Sequence, residues 1–247
     1  MTKRVLWGLR IHVVKQENNI MKRLLIIALS IFVVSCAATQ KVTHIDEGAL
    51  TKSEIEFINS SELMRIFKNN VEKDDSILRN VSKKALMNSN GYDILEKKMM
   101  ASLMEENGVG IAAPQIGVNR RVIIVQRLDK DEKPFEYYYN PVITEKRGEL
   151  IEGWEGCLSV PDGFGKVLRH QDIDVEYDKN ERGNIVRIKE RVEGWTAVIF
   201  QHEIDHLDGI LFIDKKCEGE LVQKEEFYEM RKKLKEEAES TNAEKTE

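Results

Sequence analysis

One hexapeptide constrains this chain more than any other feature: Gln201-His202-Glu203-Ile204-Asp205-His206. It follows the apolar run Ala197-Val198-Ile199-Phe200 and precedes Gly209, so the segment reads as a helix N-capped by Thr196 and stopped by the glycine. Helical residues four apart are turned by about 40° and displaced by about 6 Å, so His202 and His206 can reach one metal ion. Glu203 lies within about 100° of both and can face a water at that ion without being a ligand. Ile204 points away from His202 and buries the back of the helix. This is the skeleton of a metal-assisted hydrolase.

Two imidazoles leave a third ligand to be found. Cys157, inside Glu155-Gly156-Cys157-Leu158-Ser159, offers a thiolate; Glu225 or Glu226, about twenty residues past His206, offers a carboxylate as in thermolysin-like peptidases. Spacing alone leaves both open. The setting of Cys157 favours it, because Gly156 permits close backbone approach and Trp154, Leu158 and Val160 give apolar cover. Arg169, twelve residues on, is placed to pair with Glu155, and Gln201 and Asp205 are placed to support the ligands from behind.

Around this site the chain alternates helix and strand signals. Tyr92, Leu95, Met99 and Leu103 recur at threes and fours and predict a helix ending near Asn107-Gly108. Val122-Ile123-Ile124-Val125 predicts a short buried strand. Tyr137-Tyr138-Tyr139 with Val142-Ile143 predicts another, interrupted at Asn140-Pro141. Ile173, Val175 and Tyr177 alternate with acidic residues as a half-buried strand, and a turn over 178–184 leads to its partner, Ile185 to Ile188. Strands first and the ligand helix last give an α+β fold, with mixed or antiparallel sheets packed around that central helix.

The ends read differently. Met21-Lys22-Arg23 precedes eleven uncharged residues, Leu24 to Val34, too few to span a bilayer of roughly 30 Å, and then Ser35-Cys36. That is a signal-peptide pattern, and Val33-Val34-Ser35-Cys36 resembles the lipobox of bacterial lipoproteins. Cys36 is then the lipidated first residue of a membrane-anchored protein, with translation starting at Met21. The division expected is 1–36 extension and signal, 37–70 polar tether, 71–216 catalytic domain, and 217–247 a charged helix or tail. In that last stretch Leu221, Phe227, Met230 and Leu234 are sparse anchors, with fraying after Ala238. With 41% hydrophobic and 33% charged residues the composition is globular, and a net charge of -5 excludes nucleic acid as the main partner. Three cysteines make no disulfide framework, and Cys217 reads as structural. His170, His12 and His44 have no partners at ligand spacing.

Three motifs carry a resemblance: Gly108-Val109-Gly110-Ile111-Ala112-Ala113-Pro114-Gln115, then Glu155-Gly156-Cys157-Leu158-Ser159, then Gln201 to His206. In this order they resemble the signature motifs of the peptide deformylases, over roughly residues 71–216. The resemblance implies hydrolysis of the formyl group from N-formylmethionyl peptides or nascent chains. It implies one divalent metal, Fe(II), with Zn(II) or Ni(II) able to use the same ligands: Cys157, His202 and His206. It makes Glu203 the general base, Leu158 (by its N–H) and Gln115 (by its amide) the oxyanion donors, and Val109 and Gly110 the place where the peptide backbone approaches. Such enzymes act in the cytosol, so a cytoplasmic location stands as the alternative to the lipid anchor. Two other functions remain open, a zinc peptidase and a noncatalytic surface lipoprotein.

Overall fold

The computed structural model describes residues 47–244, with side chains to residue 237. The signal-like segment, Met21 and Cys36 lie outside the described residues. Among the described residues no helix is long and apolar enough to cross a membrane.

Five strands form one antiparallel meander in sequence order: β1 (Gly110–Ala112), β2 (Val122–Gln126), β3 (Phe135–Cys157), β4 (Val160–Glu181) and β5 (Asn184–Glu193). Before them come α1 (Lys52–Asn59), α2 (Glu72–Leu78) and α3 (Tyr92–Glu105); after them come α4 (Gly194–Leu207) and α5 (Lys224–Glu244). The expected α+β class holds, with antiparallel pairing throughout this sheet.

β2 shows why the motif helix is central. Successive strand side chains point to opposite faces. Val122 and Ile124 enter one core with Leu95, Met99 and Leu103 of α3; Ile123 and Val125 enter another with Ala197, Phe200, Ile204 and Leu207 of α4. All four β2 aliphatics are fully buried, each contributing about 1.5–3 kcal/mol. The strand is therefore sandwiched between α3 and α4, and Ile204 fills the back of the motif helix as expected.

Local chemistry corrects several boundaries. α4 begins at Gly194 with Glu193 as its N-cap, so Thr196 lies inside the first turn and caps nothing. Asn107, with φ 52°, ends α3 in the left-handed conformation, one residue before the expected glycine. Gly108 follows because a Cβ there would meet Leu103 Cδ1 at 2.6 Å. Asn140-Pro141 does not interrupt β3. It forms a register shift whose Asn140 side chain accepts from the Ala85 N–H and donates to the Ala85 carbonyl, both at 2.8 Å. The β4–β5 turn is only Arg182-Gly183, both at positive φ, the tight hairpin geometry, so the strands run farther than expected.

Of the expected tether 37–70, residues 47–70 are built into the domain, and 37–46 lie outside the described residues. α1 carries a capping box between Thr51 and Glu54, and Leu50, Ile58, Met64, Ile66 and Phe67 are buried. The spacing of Leu63, Met64, Ile66 and Phe67 suits one or two turns of helix, but no helix forms there, and Met64, Ile66 and Phe67 are buried from irregular backbone. The Phe67 N–H donates to the Gln115 carbonyl (2.7 Å) and the Asn69 N–H to that of Ser159 (2.9 Å). This stretch thus braces the site from outside. At the other end α5 continues past Ala238 to Glu244, and among its expected anchors Phe227 is buried while Leu234 is exposed.

Candidate metal centre

Two elements bring the donors together. β3 and β4 form a hairpin whose Cys157 pairs with Val160, so Leu158 and Ser159 make the turn. His202 and His206 stand one turn apart on α4. The Cys157 sulfur and one nitrogen from each histidine lie within 4.8 Å of one another, and Sγ is 3.2 Å from His206 Nε2. Glu225 and Glu226 are exposed at the start of α5, outside this group.

The surroundings fit a cation. His202 Nδ1 lies 2.8 Å from Glu155 Oε2, and the Glu155 carboxyl is held down at about 2. Burial opposes that shift, but hydrogen bonds from His202 and Arg169 outweigh it. An ionised carboxylate can only accept, so Nδ1–H donates to Glu155, which leaves Nε2, once its own proton is released, as the nitrogen for a ligand bond. Cys157 is held well below the usual thiol range; burial opposes this, and the facing His206 and His202 overcome it. His202 is raised well above the imidazole range against its burial, by Cys157 and Glu155. A thiolate and two imidazoles, that of His202 oriented by Glu155, are a donor set for first-row divalent metals.

Glu203 is 4% exposed, and its Oε2 has no hydrogen-bond partner among the protein groups. Burial lifts its pKa to about 7, helped by Cys157 and Glu155 and opposed by the two histidines. A carboxylate poised there, with one oxygen unused, suits proton transfer near neutral pH.

Gln115 is fixed from both ends of its amide. Oε1 accepts from the Ala112 N–H at 2.8 Å, which turns Nε2 toward Ser159 Oγ (3.2 Å) and Cys157 Sγ (3.6 Å). The donor side of the amide therefore faces the sulfur. Gly110 lies beside Glu203, so close that a Cβ would stand 2.5 Å from Oε1. Val109 is exposed next to it.

This converging set coincides with a family match. Residues 67–221 match the sequence model of the family described as polypeptide deformylase. The chain belongs to the polypeptide deformylase family. It is, accordingly, a hydrolase that removes the N-formyl group from peptides. Peptide deformylase 2 of Nostoc sp. is 42% identical over 140 residues, covering 53% of this chain and 76% of that protein. A Thermus thermophilus peptide deformylase is 42% identical over 139 residues, covering 51% and 70%. Among solved structures, a class I type b peptide deformylase from Acinetobacter baumannii is 37% identical with a TM-score of 0.55, covering 63% of this chain and 99% of that one. The Thermotoga maritima deformylase is 32% identical at a TM-score of 0.56, covering 64% and 100%. A further Acinetobacter structure, 35% identical at 0.54, contains bound Met-Ala-Ser and covers 63% and 99%.

Behind the ligands the deformylase scaffold carries a buried ionic chain. Arg169 donates to both oxygens of Glu155 (Nε 2.7 Å, Nη2 3.0 Å) and through Nη1 to Asp205 Oδ2 (2.5 Å); Lys215 donates to Asp205 Oδ1 (2.6 Å). The expected Arg169–Glu155 pair forms, and Asp205 is joined through Arg169 to Glu155, the partner of His202. Gln201 does not touch them: it bonds the His170 backbone and Ala197 carbonyl and ties α4 to β4. Sequence reasoning missed Ser159, whose N–H donates to Cys157 Sγ (3.4 Å), and Lys68, which donates to the Leu158 carbonyl (2.6 Å). Ser159 stood within a quoted motif. Lys68 and Lys215 carry no local signal, because their partners are distant in sequence.

Proposed function

We propose that this deformylase acts on N-formylmethionyl peptides and nascent chains, with Cys157, His202 and His206 as ligands of one divalent metal, Fe(II) in the cell, and with Zn(II) or Ni(II) able to occupy the same donors. The observation that carries the reading is the convergence of these three donors beside a buried carboxylate with a free oxygen. A divalent ion held there supplies Lewis acidity and makes a neighbouring water easier to deprotonate.

The chain's own residues supply the rest. Glu203 takes the proton of the attacking water and passes it to the departing amine nitrogen, so that formate and a free N-terminal amine leave. The Leu158 N–H and the Gln115 Nε2–H face the oxygen on which negative charge grows. β1 is an edge strand with Gly110 beside Glu203, and an extended peptide laid along it, past Val109, brings its formyl end to the carboxylate.

Cys36 as a lipidation site rests on the sequence of residues 21–36. In that reading the catalytic body is tethered to a membrane and processes formylated peptides outside the cytosol. Membrane fractionation with mass spectrometry of the N-terminus tests this, and an unlipidated chain in the cytoplasmic fraction supports the cytoplasmic alternative. The catalytic reading is tested anaerobically with Fe(II)-loaded protein on formyl-Met-Ala-Ser, measuring formate. Glu203→Gln is expected to keep its metal and lose about 10²–10⁴-fold in kcat; an active variant excludes Glu203 as the base.

A further inference from the structure

β5 pairs with β4 only from Asp172 onward, which leaves the 160–171 half of β4 with an open side. The segment after α4 covers it. Phe164 and Val222 exchange both N–H···O bonds at 2.8 Å, the Cys217 N–H donates to the Lys166 carbonyl (2.7 Å), and Gln223 Nε2 donates to the Asp162 carbonyl (2.9 Å). α5 then opens and delivers Phe227, which is 4% exposed on an otherwise charged helix.

The ring of Phe227 stacks on Phe164, with centroids 3.9 Å apart and planes 10° from parallel, and meets Trp154 at 5.6 Å. Phe164 in turn lies against Gly156 so closely that any side chain at 156 would collide with its ring. Gly156 is bonded directly to Cys157. Phe227 thus touches both strands of the ligand hairpin, through Trp154 on β3 and Phe164 on β4.

This placement matters because the ligands come from two bodies. His202 and His206 share one helical turn and cannot shift relative to each other without breaking α4. The sulfur arrives separately, at the end of a hairpin, and metal–ligand distances tolerate only about 0.2 Å. We propose that the closing segment is a clamp on the ligand hairpin and that Phe227 is a positioning residue, setting where the Cys157 sulfur stands relative to the two imidazoles. The proposal rests on the Cys157-His202-His206 reading of the metal site.

The test uses full-length parent, Phe227→Ala, Phe227→Leu and, as control on the exposed face of the same helix, Leu234→Ala. Each is loaded with Co(II) and followed by its sulfur-to-cobalt charge-transfer band and by release of cobalt to a chelator. In the metal-free proteins the alkylation rate of Cys157 is read by peptide mass. Phe227→Ala is expected to release cobalt about 10–100-fold faster, the range seen when groups supporting a ligand are lost, with a displaced band and faster alkylation. Phe227→Leu should recover part of each, and Leu234→Ala should match the parent. A Phe227→Ala protein that only melts earlier, with band, release and alkylation like the parent, overturns the clamp. If the alanine variant does not fold, parent-like behaviour of Phe227→Leu overturns it equally. A parent without the band overturns the metal-site reading and the clamp with it, whereas a parent with the band and unaffected variants overturns the clamp alone.

Discussion

Gly110→Ala separates placement of the catalytic carboxylate from its presence. The added methyl would stand 2.5 Å from Glu203 Oε1, 3.0 Å from its Cδ and 2.9 Å from Ile199 Cγ2. Ordinary contact begins at 3.4 Å, so the carboxylate must retreat by about 0.9 Å while Ile199, 7% exposed in the core, resists. A displacement of about 1 Å at a reacting group costs on the order of 10²-fold in rate. Overpacking adds a stability loss of about 1–3 kcal/mol. The expected result is a folded, metal-replete variant with kcat on formyl-Met-Ala-Ser lowered about 10²-fold. Gly153→Ala is the matched control, since its methyl meets only Trp195, at 3.7 Å; its rate should stay within about twofold of the parent, because the added methyl makes ordinary contact only. Full kcat in Gly110→Ala, with the protein folded and loaded, would refute the claim that this glycine exists to seat Glu203.

Cys157→Ala should abolish tight metal binding in equilibrium dialysis, whereas Glu226→Ala should leave it intact; the opposite pattern would restore the carboxylate-ligand alternative. Arg169→Met leaves Glu155 and Asp205 facing each other's neighbourhood without their shared cation, and urea denaturation should show a loss of about 3–5 kcal/mol, as for other broken buried ion pairs. Asp129 is held at about 2, chiefly by its hydrogen bond from Arg127 against the opposing effect of burial. Its folded pKa is depressed, so its contribution, reduced by solvent screening because the residue is exposed, is present above the ordinary value of 3.8 and is lost as pH falls through about 2. Asp129→Asn should flatten the stability profile in that window, and an unchanged slope would argue against the pairing.

The parts of the site that share one local element were legible from sequence. His202, Glu203 and His206 sit on a single helical turn, and helix geometry alone puts them together. Cys157 was favoured by its local setting and Gln115 was legible only through the resemblance, because a meander of long-range strand pairs brings them to the helix. What could not be read was stabilised across distance: Lys68 on Leu158, Lys215 on Asp205, and Phe227 on Phe164. The packing of Met64, Ile66 and Phe67 was hidden because their spacing with Leu63 suits a turn or two of helix, whereas they are buried from backbone that is not helical. Asn140-Pro141 looked like a strand break because proline cannot donate to a ladder, yet the Asn140 side chain takes over the bonding with Ala85.

β1 has three residues and lies at the margin of the sheet. So short a margin gives little purchase to another protein's sheet, which protects against sticking. In the proposed binding mode the same brevity limits how much of a visiting chain can be gripped. Main-chain recognition over two or three residues reads almost nothing of the visitor's identity and holds it loosely.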